Sequence, residues 1–120
     1  MMEVTNLTKI KIRIKLFENL YHAICKHPLE LSVVLASPYR MRKLNKKYRG
    51  KDTTADVLSF LIEKGRGEIF LNARRKNIQF LFVHGCLHLL GFDHKTLKDA
   101  KIMERKEKNI LCKSRKELSE

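Results

Sequence analysis

Three histidines in the last third of the chain stand at the spacing H-x3-H-x5-H: His84, His88 and His94. His84 and His88 are four residues apart, so on a helix their imidazoles share one face, one turn apart. Gly91 follows them, and glycine readily adopts the left-handed conformation that ends a helix and turns the chain back. The spacing therefore predicts that His94 returns over the same face and that three neutral imidazoles converge on one point.

Three converging imidazoles with a fourth position left open are the ligand set of a catalytic zinc site. We expect one Zn²⁺ per chain, because three neutral nitrogen ligands suit zinc. The alternative is that the histidines are hydrogen-bonded polar groups at a buried helix end. Metalloproteases of the H-E-x-x-H-x-x-G-x-x-H type share the spacing, but their glutamate general base follows the first histidine. Gly85 stands there in this chain, so the pattern favours a metal and argues against proteolysis by that route.

Length and composition favour a single domain with a polyanionic partner. The 120 residues are 43% hydrophobic, which suffices for one modest core, and no stretch approaches the length of a membrane helix. The net charge of +13 suggests RNA or DNA before anionic lipid, the alternative being a generally basic, solvated surface. Three scattered cysteines and an amino terminus without an apolar signal region indicate a reduced cytoplasmic protein.

Hydrophobic periodicity predicts four strands. Lys9–Lys15 alternates strictly between basic and apolar residues, which is typical of a half-buried strand that is antiparallel or at an edge. Leu29–Ala36 is a second strand. Asp56–Ile62 is almost continuously apolar, so we expect a central strand buried on both faces. Glu68–Leu71 follows it after a glycine-containing turn, and the two are predicted to form a hairpin.

Four helices are expected between and after these strands. The first has an apolar face from Phe17 to Cys25, and the second follows the cap pair Ser37-Pro38 through about Lys47. The third, Ile78–Leu90, is apolar nearly all round and carries the first two histidines. Thr96 is a candidate cap for the last helix, whose inner face is predicted at Ala100, Met103, Glu107, Ile110 and Leu111. Residues 113–120 are expected to be a frayed, charged tail.

Two segments of the chain resemble one family. His84 to His94 matches the motif H-G-x-L-H-L-x-G-[YF]-D-H, with Leu87, Leu89 and Asp93 in place beside the histidines. Asn45 to Asp52, followed by Asp56 to Phe60, is the second match. Weaker matches are Gly67-Glu68-Ile69 and Met103 with a later Glu-x-x-Ile-Leu. The motifs, spread from Leu44 to Leu111, are similar to those of the YbeY family of bacterial endoribonucleases, also called rRNA maturation factors.

The chain departs from the family pattern in three places. Thr54-Ala55 stands where the family usually has Pro-Thr, and Leu61 stands where it usually has proline. The family commonly has a longer segment between the hairpin and the metal helix, whereas here only Asn72 to Asn77 separate them. The shortening is expected to open one side of the site, so contacts with substrate in that region are not carried over.

The resemblance implies a single small α+β domain over residues 1–120. It implies a mixed sheet of about four strands with surrounding helices and a metal site at the end of a buried helix. It also implies a zinc-dependent endoribonuclease specific for single-stranded RNA, active in 16S rRNA 3′-end maturation and ribosome quality control, with the small ribosomal subunit as partner. A non-enzymatic, zinc-stabilised assembly factor that binds rRNA is the first alternative. A metallohydrolase acting on a small molecule is the second, and the net charge of +13 makes it less attractive.

Two further residues are candidates for the catalytic set. Arg49 corresponds to an arginine that the family treats as functional, and a guanidinium can grip a phosphate in two places. Its alternative role is to cap the end of the preceding helix. Asp93 is adjacent to His94 and is suited either to accept a hydrogen bond from a ligand imidazole or to serve as a turn residue. No general base is evident in place of the glutamate that the metalloproteases use.

Overall fold

Four strands form one mixed sheet. The computed structural model describes residues 2–24, 29–91 and 96–119, with side chains described as far as Leu111. The strands are β1 (Met2–Asn6), β2 (Glu30–Ala36), β3 (Val57–Glu63) and β4 (Arg66–Asn72). They lie in the order β1-β2-β4-β3, with β2 parallel to both neighbours and β3 antiparallel to β4. The predicted mixed four-stranded sheet and its hairpin are confirmed.

Helices cover both faces of the sheet. They are α1 (Ile14–Ile24), α2 (Pro38–Arg49), α3 (Ile78–Leu89) and α4 (Leu97–Ser119). The connection from β1 through α1 to β2 joins parallel strands, as a crossover helix does. The backbone of residues 113–119, which the sequence assigns to a tail, continues α4. Over the described residues, none of these helices has an apolar stretch long enough to cross a membrane.

The main core lies between the sheet and helices α1, α3 and α4. Val33 is fully buried at the centre of β2, paired with Val4 of β1 and Ile69 of β4. Phe17 of α1 meets Phe82 of α3 edge to face at 5.2 Å between ring centroids. Alternate residues of the strands point to the opposite face, where α2 packs over a smaller cluster formed by Ala36, Met41 and Leu58.

The strand predicted at Lys9–Lys15 is wrong, because β1 ends earlier. The Asn6 side chain accepts hydrogen bonds from the Thr8 backbone N–H at 2.9 Å and the Thr8 hydroxyl at 2.7 Å, and its amide donates to Ile10 O at 2.8 Å. This turn takes the chain out of the sheet. Ile10 and Ile12 still pack against the main core, so the alternation reports burial of one side without strand pairing.

The third predicted strand exists, but it lies at the edge of the sheet instead of the centre. Leu58 of β3 is fully buried because helices cover both faces of the first half of the strand. Leu61 and Ile62, near its end, are 59% and 53% exposed. The apolar run of this strand indicates that both of its faces are covered near its start. It does not show whether the strand has a neighbouring strand on one side or on both.

Both ends of α2 are fixed by local sequence. The Ser37 hydroxyl accepts a hydrogen bond from the Arg40 backbone N–H at 3.2 Å, and Pro38 follows as the first helical residue. At the other end Gly50 has φ 70°, and its N–H donates to Lys46 O at 3.0 Å. This left-handed cap terminates the helix directly after Arg49. The predicted cap at Ser37 is confirmed, and α2 extends two residues beyond the predicted Lys47.

The cap at Ser37 leads to a prediction about stability. Ser37→Ala removes the acceptor for the Arg40 N–H and should lower the free energy of unfolding by about 1 kcal/mol. Ser37→Asp keeps an acceptor and adds a negative charge at the positive end of a helix whose first turn has no acidic residue. That variant should therefore be at least as stable as the wild type. Urea denaturation measures both, and an equal loss in the two variants would contradict the cap.

Candidate metal centre

Gly85 determines how closely α3 approaches the sheet. A Cβ atom at this position would lie 2.8 Å from Ser59 Oγ and 3.3 Å from methyl carbons of Ile69 and Val57. Only a residue without a side chain leaves β3 and β4 undisturbed at that separation. The residue after the first histidine therefore faces the sheet directly. The glutamate that metalloproteases carry there does not fit this packing, so the pattern's departure at Gly85 has a steric reason.

The first two histidines converge, as their spacing predicts. His84 and His88 lie on the flank of α3 beside the sheet-facing side, and both are half-buried. Their Nε2 atoms are 3.0 Å apart, and their ring centroids are 4.5 Å apart. The two imidazoles therefore form a polar centre in the carboxyl-terminal part of α3.

Glu107 of α4 is a residue of this centre that sequence reasoning missed. Its side chain is only 5% exposed, and its Oε1 lies 3.3 Å from Nδ1 of His84. A buried carboxylate at that nitrogen favours the tautomer in which Nδ1–H donates to Glu107, which leaves the Nε2 lone pair of His84 directed at His88. The sequence signal for this residue was its position as the one charged residue on the otherwise apolar inner face predicted for α4.

A recess between α3 and α4 gives access to His84. Its volume is about 190 Å³, and the Phe80 ring forms part of its wall with its centroid 6.0 Å from that of His84. The lining is mainly apolar apart from His84 and two carboxylates. The lining residues are Phe80, His84, Ala100, Met103, Glu104 and Glu107. A small polar group can therefore reach His84 from the groove between the two helices.

The separation of the two ring nitrogens is close to that of two nitrogen ligands on one zinc ion. Zinc bound to nitrogen at about 2.0–2.1 Å in tetrahedral geometry separates two ligand nitrogens by about 3.3 Å, close to the observed 3.0 Å. The carboxylate at the far nitrogen of His84 matches the carboxylate–histidine–zinc arrangement that orients metal ligands. Within the described part of the chain, the pair is not joined by a third ligand side chain. His94 and Asp93 lie outside the described residues, so their assignments stay predictions.

Arg49 and the histidine pair are not brought into contact. Arg49 is the exposed last residue of α2, which packs on the face of the sheet opposite α3. Among the described residues, no hydrogen bond or ion pair engages its guanidinium. The helix-capping role belongs to Gly50, whose backbone closes the last turn. The guanidinium is therefore available to an external ligand, and its part in the reaction stays a prediction.

Comparison with known proteins identifies relatives over most of the chain. The family model for endoribonuclease YbeY matches residues 3–75 and 68–115. An endoribonuclease YbeY of a Geobacillus species is 36% identical over 110 residues, covering 68% of this chain and 70% of the relative. That of Neorickettsia sennetsu is 39% identical over 103 residues, covering 70% and 72%. The solution structure of TM1509 from Thermotoga maritima aligns with a TM-score of 0.66 at 30% identity, covering 99% of this chain and 92% of that one.

The family match falls into two pieces that overlap at residues 68–75. This overlap includes the end of β4 and the start of the short connection to α3. The carboxyl-terminal piece contains all three histidines of the motif and Glu107. The segments on either side of this connection therefore both match the family model.

Proposed function

The chain belongs to the endoribonuclease YbeY family, and on that premise we propose that it hydrolyses phosphodiester bonds of single-stranded RNA with a bound zinc ion. The observation that carries the metal is the 3.0 Å separation of the His84 and His88 Nε2 atoms. RNA as substrate is consistent with the net charge of +13, since phosphates provide the complementary charge.

The residues of the centre have separate roles in this proposal. His84, His88 and His94 hold the metal through neutral ring nitrogens. Glu107 keeps a proton on His84 Nδ1 and so fixes the ligand tautomer. A zinc ion bound by these residues would supply the hydroxide nucleophile at neutral pH and Lewis acidity toward a phosphoryl oxygen. Arg49 binds a phosphate and offsets charge in the transition state, and Asp93 accepts a hydrogen bond from a ligand imidazole.

The physiological substrate that we propose is ribosomal RNA. The family resemblance supports a role in 16S rRNA 3′-end maturation and ribosome quality control, with the small ribosomal subunit as partner, in the cytoplasm. The competing proposal is an assembly factor in which zinc only stabilises the fold and the basic surface binds rRNA. The two differ in one measurable property, because only the enzyme cuts RNA.

The first test combines metal content with cleavage. Wild-type protein should contain one zinc per chain by elemental analysis and should cut single-stranded RNA, with activity lost on chelation and restored by zinc. His88→Ala should abolish cutting and leave RNA binding intact. A full complement of metal in the His84→Ala, His88→Ala double variant would exclude the assigned site. Zinc binding and RNA binding without cleavage in the wild type would favour the assembly factor.

The second test concerns Glu107. Glu107→Gln preserves shape but replaces the carboxylate, so zinc affinity should fall about 10–100-fold, as for other partners of metal-bound imidazoles. Glu104→Gln is the matched control, because Glu104 is an exposed carboxylate on the same helix that lines the same recess. Competition with a chromophoric chelator measures the affinity. If both variants bound zinc as the wild type does, Glu107 would have no role in holding the ligand.

The third test separates catalysis from scaffolding at Arg49. Arg49→Ala should lower single-turnover cleavage by about 10²-fold, the usual loss on removing one preorganised donor to developing charge. Metal content and melting temperature should stay unchanged, since Gly50 caps the helix. Arg49→Lys should restore part of the activity, because ammonium lacks the planar fork. Arg13→Ala, which removes an exposed arginine just before α1, controls for charge. Full cleavage by Arg49→Ala would remove this residue from the catalytic set.

A further inference from the structure

Helix α2 concentrates positive charge on its exposed side. It contributes six of the chain's basic residues and no acidic residue, so this one helix accounts for +6 of the net +13. All six side chains are exposed, while Met41 and Asn45 form the buried side. The basic residues are Arg40, Arg42, Lys43, Lys46, Lys47 and Arg49.

Little of this charge is neutralised within the described part of the chain. One ion pair involves the helix there, between Arg42 Nε and Asp52 Oδ1 at 2.9 Å. The pKa of Asp52 lies below its usual value, first because it accepts this hydrogen bond and further because of the charges of Arg42 and Lys46. Repulsion among six cations on twelve residues disfavours the helix by itself, so a bound polyanion would relieve it.

Two tyrosines stand among these cations. Tyr39 is 68% exposed, and Lys43 Nζ lies 4.6 Å from its ring centroid. Tyr48 is 54% exposed and rests on Phe60, with 5.1 Å between ring centroids. Exposed aromatic rings interleaved with lysines provide stacking surfaces for unpaired bases and contacts for the adjacent phosphates. This combination favours single-stranded nucleic acid over a lipid surface or an acidic protein.

The basic helix and the histidine-bearing helix cover the two faces of the same edge strand. Met41 of α2 packs with Leu58 of β3 on one face. On the other face Gly85 of α3 lies directly over Val57 and Ser59 of β3. Two layer spacings of about 10 Å each place the helix axes roughly 20 Å apart across the strand. An RNA strand that passes around the edge of the sheet can therefore contact both helices.

We propose that the exposed face of α2 is a docking surface for the RNA strand that flanks the cleavage point, with lysines on its phosphates and Tyr39 stacked on a base. This proposal rests on the proposed endoribonuclease function. It identifies a surface that binds the substrate at a distance from the metal. Arg49 lies at the end of the surface, at the carboxyl terminus of α2. RNA long enough to reach both helices binds more tightly than RNA that reaches only the histidines.

The test compares two triple variants of the full-length protein. Lys43→Gln/Lys46→Gln/Lys47→Gln removes three charges from α2. Lys9→Gln/Lys11→Gln/Lys15→Gln removes three exposed charges around the start of α1, after the strand at the opposite edge of the sheet. The probe is a fluorescent phosphorothioate RNA of about 20 nucleotides that resists hydrolysis, and a second probe has about 4 nucleotides.

The α2 variant should bind the longer probe at least about 10-fold more weakly than the wild type and should lower the salt slope by about 2, as expected for three lost phosphate contacts to a single strand. Its affinity for the short probe should not change. In the control variant, the affinity for the longer probe and the salt slope should both change less than in the α2 variant. Equal losses in the two variants would show that diffuse charge attracts RNA, and an unchanged α2 variant would also overturn the proposal.

Tyr39→Ala provides a second variant whose folding is not in question, because the ring is largely exposed. It should weaken binding of the single-stranded probe about 10-fold and leave binding of an RNA duplex unchanged, since paired bases offer no free face. Unchanged single-strand affinity would overturn the stacking contact. Binding is measured without cleavage, so a protein that bound RNA through α2 but cut none would refute the proposed enzyme function and leave this surface standing.

Discussion

The close approach of α3 to the β3–β4 hairpin is the contact on which the rest of the site depends. Gly85 on the helix makes it possible, and Gly67 on β4 leaves room for the Leu89 side chain, whose Cδ1 would lie 2.7 Å from a Cβ at that position. A shift of one residue in the seating of α3 would rotate its faces by about 100° and bury the histidines against the sheet. Burial of Phe82 and Leu87, worth about 1.5–3 kcal/mol each, opposes such a shift.

The second constraint is a buried charge. Burying a carboxylate costs several kcal/mol unless hydrogen bonds offset it, and Glu107 is buried on the inner face of α4 between Met103 and Ile110. The imidazole of His84 is one such partner. The pair therefore joins α4 to α3 and specifies the rotation of both helices. The polar centre and the helix packing depend on each other, because a rotation of either helix would break the contact between Glu107 and His84.

The parts of the fold that sequence predicts well are those set by local signals. Ser37-Pro38 marks the start of α2, Thr96 caps α4 through the Asp99 N–H, and the apolar run Ile78–Leu89 forms α3. Local spacing also suffices for the convergence of His84 and His88, because a helix turn alone creates it.

What sequence does not reveal depends on contacts between distant elements. The Lys9–Lys15 alternation reports a buried side, but whether a neighbouring strand pairs there is decided by the turn at Asn6. β3 is apolar because α2 and α3 cover it, so its hydropathy does not distinguish an edge strand from a central one. Glu107 interrupts an apolar stripe, and only the packing of α4 on α3 shows that an imidazole lies opposite it.

Hydrogen bonds tie the short connection between β4 and α3 to the start of β3. At the end of β4, the Asn72 N–H donates a hydrogen bond to Asp56 O at 2.9 Å. The Asn72 side-chain oxygen accepts a hydrogen bond from the Arg74 N–H at 3.1 Å. Arg75 Nε then donates to Asp56 Oδ1 at 2.8 Å, which holds the connection to the start of β3. These contacts start α3 beside the strand on which Gly85 seats it. The position of the histidine pair therefore depends on those fixed points.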